Sequence, residues 1–206
     1  MRATFLSNSH VVLNAISDAR IADAWNTPST LEDQTIGSLV GHLARGSVWV
    51  VNEYLNASAP TGPVDYESAS AYFADVANSL TAQDHEAIRN RGAEIATMGH
   101  AGVINELTQR LNELSGILLN EPQERLLSVF AGRVMRLDDY LLTRLVEQVV
   151  HLDDLARSLA VDPWSYASGA AALVIECGAD IGRIRSGELA MVRTLFRDGG
   201  ACLPVL

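Results

Sequence analysis

The sequence predicts an all-α protein, an antiparallel bundle of four main helices. Apolar residues recur at helical spacing along most of the 206-residue chain, and 48% of its residues are hydrophobic, which is enough for one well-buried core. All six prolines fall between the apolar-periodic segments, where helices begin or end. We therefore expect residues 1–206 to form a single domain.

The first part of the chain contains two predicted helices. Residues 7–24 carry apolar side chains at helical spacing and form the first helix. A loop that contains Pro28 leads to the second helix, residues 35–55. Residues 57–65 contain two prolines and a glycine, so they are predicted to be a loop and the clearest break in the chain.

A long helical segment and a hairpin are predicted next. Residues 66–119 are apolar-periodic, but few globular helices run so far without a cap, so we expect an interruption near Asp84 or Gly99. Residues 124–135 alternate between apolar and polar side chains, which favours two short strands around residues 131–132. This hairpin would lie on the surface of the bundle.

Three helices are predicted to complete the chain. Residues 137–159 form the longest apolar-periodic run. Residues 166–185 contain many glycines and alanines, which permit close helix packing, and Gly187 ends that helix. Residues 188–197 form a short last helix. The small-residue helix and the apolar residues beside the 66–119 segment leave more apolar surface than one bundle buries, so we expect a homodimer.

One strip of the 137–159 helix carries its polar side chains. The strip consists of Tyr140, Arg144, Glu147, His151, Asp154 and Ser158. Glu147 and His151 are four residues apart, which is the spacing that two helical ligands need to share a metal ion. The same pattern also fits the solvated face of an ordinary amphipathic helix, and the spacing alone leaves both interpretations open.

A third ligand is available in the second predicted helix. His42 lies off the apolar side of residues 35–55, together with Gly46, Trp49 and Glu53. If the two polar faces met across a cleft, His42, Glu147 and His151 would form a His₂Glu site with an open position for water or substrate.

The segments around these residues resemble a known family. Residues 25–46, with Trp25 and Pro28 before Gly41-His42-Leu43, and residues 138–159, with Arg144 to His151 followed by Asp154, are similar to the metal-binding domain of the mycothiol-dependent maleylpyruvate isomerases. That family belongs to the DinB-like four-helix bundles. The resemblance extends over nearly the whole chain.

The resemblance implies a metal centre and a thiol cofactor. Residues matching His42, Glu147 and His151 bind a divalent metal in that family, usually zinc, and the metal activates a low-molecular-weight thiol. Full-length family isomerases carry a further C-terminal domain that contributes to the active site, and we expect this chain, which ends at Leu206, to lack it. The resemblance therefore implies a mycothiol-type transferase acting on an electrophilic small molecule. A non-catalytic metal-containing binding bundle and an isomerase without the C-terminal domain remain alternatives.

Four further residues are candidates for the same site. Arg144 is suited either to hold an anionic group of substrate or cofactor or to pair with Glu147. Asp154 lies one turn beyond His151 and is suited to orient its imidazole. Trp49 and Tyr140 are expected to form apolar walls, although aromatic side chains at a bundle seam also serve simple packing.

Other histidines and both cysteines are expected to lie outside the site. His10, His85 and His100 are predicted to be solvated or hydrogen-bonded rather than metal ligands; Cys177 is predicted to be a core residue, and Cys202 a thiol near the C-terminus with no group beside it to lower its pKa.

Composition excludes several function classes. The net charge is −10, and all fifteen basic residues are arginines scattered among acids, which is not typical of nucleic-acid binding. No stretch reaches the roughly 18 uninterrupted apolar residues of a membrane span, and the N-terminus lacks the pattern of a signal peptide. We therefore expect a cytoplasmic protein with a small-molecule substrate.

Overall fold

The computed structural model describes residues 1–197, without the side chains of Ala77 and Asn78. Its helices in chain order are α1 (Arg2–Ile16), α2 (Ala19–Asp23), α3 (Ile36–Ala44), α4 (Val50–Asn56), α5 (Ala69–Ser79), α6 (Ala82–Ala96), α7 (Gly99–Ile117), α8 (Leu137–Leu159), α9 (Ala170–Ser186) and α10 (Glu188–Phe196). A two-stranded sheet precedes α8. The predicted all-α bundle with a short hairpin is confirmed.

Four packed helical units make up the bundle. α1 contacts α7 and α8, and the unit formed by α3 and α4 contacts the same two helices on the other side. The remaining helices surround this bundle: α6 packs on α3, α5 packs on α8 and α9, and α10 packs on α9. None of the helices within residues 1–197 is long and apolar enough to span a lipid bilayer.

Local capping explains where the predicted long helices divide. The first helix starts earlier than expected and stops at Ile16, because Asp18 accepts a hydrogen bond from the Arg20 amide and starts α2. The 66–119 segment contains three helices, with breaks near both predicted positions. Thr81 and Asp84 form a capping box that starts α6, and Gly99, at a φ of 71°, starts α7.

The second predicted helix is interrupted by a π-helical segment. α3 runs into a π-helix over Arg45–Trp49, and α4 continues from Val50. A π turn closes hydrogen bonds over five residues instead of four, so later side chains are rotated by about 100° relative to a continuous α-helix. The side chains after Arg45 therefore do not lie where uniform helical spacing places them.

The hairpin lies between α7 and α8, as predicted. Strand β1 (Leu126–Ser128) pairs antiparallel with β2 (Val134–Arg136), and the connecting turn holds Ala131 and Gly132 at positive φ values of 57° and 75°. The predicted helix over residues 166–185 instead begins at Ala170, because the chain passes through Gly169 at a φ of 81° before α9 starts.

Two contacts fix the helices that carry the polar faces. On one side of α8, Gln148 accepts a hydrogen bond from Asn8 at 3.0 Å and donates one to Ser9 at 2.8 Å, all within the buried core. On the side of α3, a Cβ at Gly41 would clash with the Gly92 carbonyl, and a Cβ at Gly92 would lie 2.8 Å from the Ser38 carbonyl. This approach brings α6 against the helix that carries His42.

Candidate metal centre

Three predicted ligand residues converge at one point. Nε2 of His42 lies 3.3 Å from Oε2 of Glu147 and 3.2 Å from Nε2 of His151, and the last atom lies 3.4 Å from the same Glu147 oxygen. The three side chains are each between 17% and 20% exposed, so the cluster is shielded but reachable from solvent. The polar faces of α3 and α8 therefore meet, as the sequence predicted.

The spacing of these three atoms fits a metal ion. In a tetrahedral site with metal–ligand bonds of about 2.0 to 2.1 Å, ligand atoms lie about 3.3 to 3.4 Å apart, which is the spacing seen here. The donor set of two imidazoles and one carboxylate is also that of three-ligand zinc sites with an open fourth position. Among the described residues, these three form a group of His, Cys, Asp or Glu side chains that could hold a metal ion.

Asp154 lies where it can orient the His151 ring. Its Oδ2 lies 2.9 Å from Nδ1 of His151, so the Nδ1–H donates to the carboxylate, and Nε2 is directed towards His42 and Glu147. The backbone carbonyl of Asp154 accepts a hydrogen bond from Ser158 at 2.7 Å. Burial alone would lower the pKa of His151, but Asp154 and Glu147 outweigh it and raise that pKa to about 9.

Glu147 remains ionised although it is largely buried. Burial would raise its pKa, but hydrogen bonds from His151 and His42 and the positive charge of Arg144 hold that pKa well below its usual value. A deprotonated carboxylate is the form that coordinates a metal ion.

Arg144 is held by neighbouring protein groups. Its Nε donates to the Thr143 hydroxyl at 2.9 Å, its Nη1 donates to the Gly46 carbonyl at 3.2 Å, and its Nη2 lies 3.9 Å from Glu147. Its guanidinium carbon also lies 4.9 Å from the centre of the Tyr140 ring. Arg144 thus stabilises the charge and orientation of Glu147.

A cavity of about 660 Å³ opens beside the cluster, within the size range of small-molecule sites. His42, Glu147, His151 and Asp154 line it, together with Arg144 and Tyr140. Its other walls are largely apolar and aromatic: Leu31, Val50, Tyr54, Tyr72, Phe73, Val76, Leu80, Ile88, Phe130 and Val150. The three converging ligand atoms therefore face a space of the size that small molecules occupy.

The expected wall residue Trp49 does not line this cavity. Its side chain is 6% exposed in the core, with the Arg110 guanidinium 4.8 Å from its ring centroid. The π-helical segment ends at Trp49 and rotates it away from the face that carries His42, whereas uniform helical spacing placed both residues on one face. Trp49 is therefore not part of this cavity's wall, whereas Tyr140 is.

Three basic residues of the cavity wall were not predicted from the sequence. Arg45 enters the wall because the π-helix begins there, and His85 and Arg91 enter it because α6 packs closely on α3. A polar residue repeated at helical spacing on α6 is a weak signal that could have drawn attention to His85 and Arg91.

His100 and Cys177 lie away from the ligand cluster. Nε2 of His100 lies 2.6 Å from the Ile16 carbonyl, which fits the prediction of a hydrogen-bonded histidine. Cys177 is buried in the core, as expected, with its sulfur 3.7 Å from the Ser70 hydroxyl. Cys202 lies outside the described residues.

Comparison with known proteins identifies the family. The family model described as the mycothiol maleylpyruvate isomerase N-terminal domain matches residues 9–156, a range that includes His42, Glu147 and His151. No curated protein and no solved structure matches the chain. The family match covers well over half of the sequence, and the chain therefore belongs to the family of the mycothiol maleylpyruvate isomerase N-terminal domain.

Proposed function

We propose that this protein transfers a low-molecular-weight thiol of the mycothiol type to an electrophilic small molecule, with His42, Glu147 and His151 as the ligands of a divalent metal, most simply zinc. In this addition the thiol sulfur bonds to an electrophilic carbon of an unsaturated acceptor, the π electron pair of that carbon shifts away from it, and the resulting anion takes up the proton that the thiol loses. The observation that carries the proposal is the convergence of three ligand atoms at tetrahedral spacing on the wall of a 660 Å³ cavity.

When bound, a divalent ion would supply a Lewis acid that lowers the pKa of a thiol, which is about 8.5 when free, and so favours the nucleophilic thiolate near neutral pH. The chain contributes the fixed geometry. Asp154 holds the His151 ring in one tautomer, and Arg144 holds the charge of Glu147.

The cavity walls supply the surroundings for the acceptor. Tyr72 and Phe73 are nearly buried, and with Tyr140 they present aromatic surface to the space beside the ligand atoms. An apolar wall of this kind excludes water from the reacting groups and strengthens the electrostatic interactions among them. The tyrosine hydroxyls remain protonated, because burial raises the pKa of both Tyr72 and Tyr140.

A thiol-consumption assay tests the proposal. Protein loaded with zinc is mixed with a reduced low-molecular-weight thiol and a panel of electrophiles, and free thiol and product are followed together. We expect accelerated loss of thiol and formation of a thioether by the wild-type protein. His151→Ala should lose this activity, whereas His10→Ala, which removes an exposed histidine on α1, should retain it.

The outcomes separate the competing functions. Isomerisation of an unsaturated acid with no net loss of thiol would support the isomerase alternative. Metal binding with no acceleration of any substrate across the panel would support a non-catalytic binding bundle and refute the transferase proposal.

A further inference from the structure

The cavity contains more positive charge than the protein as a whole. The chain has a net charge of −10, yet three arginines and two carboxylates line the cavity. The arginines are Arg45, Arg91 and Arg144, and the carboxylates are Glu147 and Asp154. A local excess of arginine in an acidic protein favours an anionic ligand.

Two of the three arginines already have anionic or carbonyl partners. Both terminal nitrogens of Arg45 bind the carboxylate of Glu53, at 2.8 Å and 3.1 Å. Arg144 donates to Thr143 and to the Gly46 carbonyl and lies beside Glu147. Both guanidinium groups are therefore already held by protein groups, and a carboxylate lies beside each of them.

Arg91 is the third arginine, and it differs from the other two. It is exposed, and none of the residues in the described range 1–197 forms a hydrogen bond or ion pair with it. On α6 it shares the cavity side with Ile88 and His85, which lie three and six residues earlier, or about one and two helical turns. The adjacent Gly92 packs against His42, so the backbone at Arg91 is held beside the helix that carries His42, and Arg91 lines the same cavity as the candidate metal centre.

Much of the wall of the cavity that Arg91 lines is apolar. Phe73, Val76 and Leu80 approach from the region of α5, Ile88 lies on α6 itself, and Val150 lies on α8 between Glu147 and His151. These side chains offer no hydrogen-bonding group, so the part of a ligand that lies against them is apolar.

We propose that the cavity binds an amphipathic anion, a molecule with an apolar body and one carboxylate or similar acidic group, and that Arg91 pairs with that group. Under the proposed function this molecule is the electrophilic acceptor. Its role as acceptor rests on that function, but its binding does not. Its apolar body lies against Val76 and Ile88, and its acidic group lies at Arg91.

The binding test uses metal-free protein without thiol, so it does not depend on the transferase proposal. The probes are 4-phenylbutanoate and its uncharged counterpart 4-phenylbutan-1-ol, and their affinities are measured by isothermal titration calorimetry. The variants are Arg91→Gln, Arg91→Lys and Ile88→Ala. Arg89→Gln is the matched control, because Arg89 is on the same helix but does not line the cavity.

We expect wild-type protein to bind the acid at least about fivefold more tightly than the alcohol, as for a partly exposed ion pair. Arg91→Gln should abolish this preference by weakening the acid alone, and Arg91→Lys should retain part of it. Ile88→Ala should weaken both probes similarly, and Arg89→Gln should change neither. Circular dichroism confirms that each variant is folded.

Three results would overturn the proposal. The first is equal affinity of the wild-type protein for acid and alcohol, and the second is a preference for the acid that survives in Arg91→Gln. The third is the absence of binding of either probe at millimolar concentration. Failure of the thiol-consumption assay with normal results here would reject the transferase function and keep the anion site.

Discussion

His151→Ala should remove metal from the protein without unfolding it. The substitution deletes one of three converging ligand atoms and leaves Glu147 and Asp154 without their imidazole partner. Loss of a residue that hydrogen-bonds a metal ligand typically weakens metal binding by roughly 10- to 100-fold. Loss of the ligand itself should weaken it by more. The remaining site should therefore lose its metal during gel filtration.

The cost to the metal-free fold should be modest. The His151 side chain is 17% exposed and contributes a polar rather than an apolar contact, and Glu147 still has His42 and Arg144 beside it. The carboxylate of Asp154 loses its hydrogen-bond partner but is close enough to the cavity to be hydrated. We expect a loss of about 1 to 2 kcal/mol in the free energy of unfolding, within the range for one unpaired polar group.

Leu145→Ala on the same helix is the matched control. Leu145 is fully buried against Val149 and Ala170, so its truncation leaves a cavity and should lower the free energy of unfolding by about 2 to 5 kcal/mol. Because Leu145 does not line the site, the folded fraction of Leu145→Ala should bind metal with its normal stoichiometry.

Urea unfolding followed by circular dichroism, with a chelator present, gives the free energies, and elemental analysis after gel filtration gives the metal content. A full metal complement in His151→Ala would mean that His151 is not a ligand. Unfolding of His151→Ala as severe as that of Leu145→Ala would mean that His151 is structural, and the metal-centre assignment would lose its main support.

Three further predictions concern the surroundings of the site and the surface. Asp154→Asn should weaken zinc binding by about 10- to 100-fold in a competition titration with a chromophoric chelator, because the His151 tautomer is no longer fixed; unchanged affinity would contradict this role. In metal-free protein the pKa of His151 is raised to about 9 from an ordinary 6.5, so protonated His151 contributes stability that is complete below pH 6.5 and is lost as the pH rises through 9. The urea midpoint of wild-type protein should therefore fall over this pH window, and that of His151→Ala should fall less. The exposed apolar side chains of α9 and α10, which include Ile175, Leu195 and Phe196, should support a homodimer, seen by light scattering as twice the chain mass; a monomer mass over a wide concentration range would refute it.

The convergence of the site was predictable because it depends on uniform helical spacing. Glu147 and His151 lie within one unbroken helix, and His42 lies before the π-helical segment, so their positions follow from the apolar pattern. Trp49 lies at the end of the π-helix. Its orientation away from the cavity was not predicted, because a π turn has no clear residue signature.

The cavity beyond the metal centre was not predictable, because it depends on contacts between distant segments. Arg91 enters the wall only because Gly92 and Gly41 let α6 approach α3 closely. The residue spacing within α6 does not indicate that this helix packs against α3. The hairpin residue Phe130 enters the wall for the same kind of reason, since the turn that carries it folds towards α8 from a different part of the chain.

The π-helical segment helps to distinguish Arg144 from Arg91. It supplies the Gly46 carbonyl that accepts the hydrogen bond from Arg144. With Thr143 and Glu147 as further partners, Arg144 contacts the protein on three sides and is held beside the ligand cluster. Arg91 has no such partners among the described residues, so a ligand that enters the cavity can pair with it without breaking a contact of the fold. The positive charge beside Glu147 belongs to Arg144, and the positive charge proposed to bind an acidic acceptor belongs to Arg91. Because they are different residues, Arg91→Gln should change the preference for the acidic probe while leaving the metal content intact.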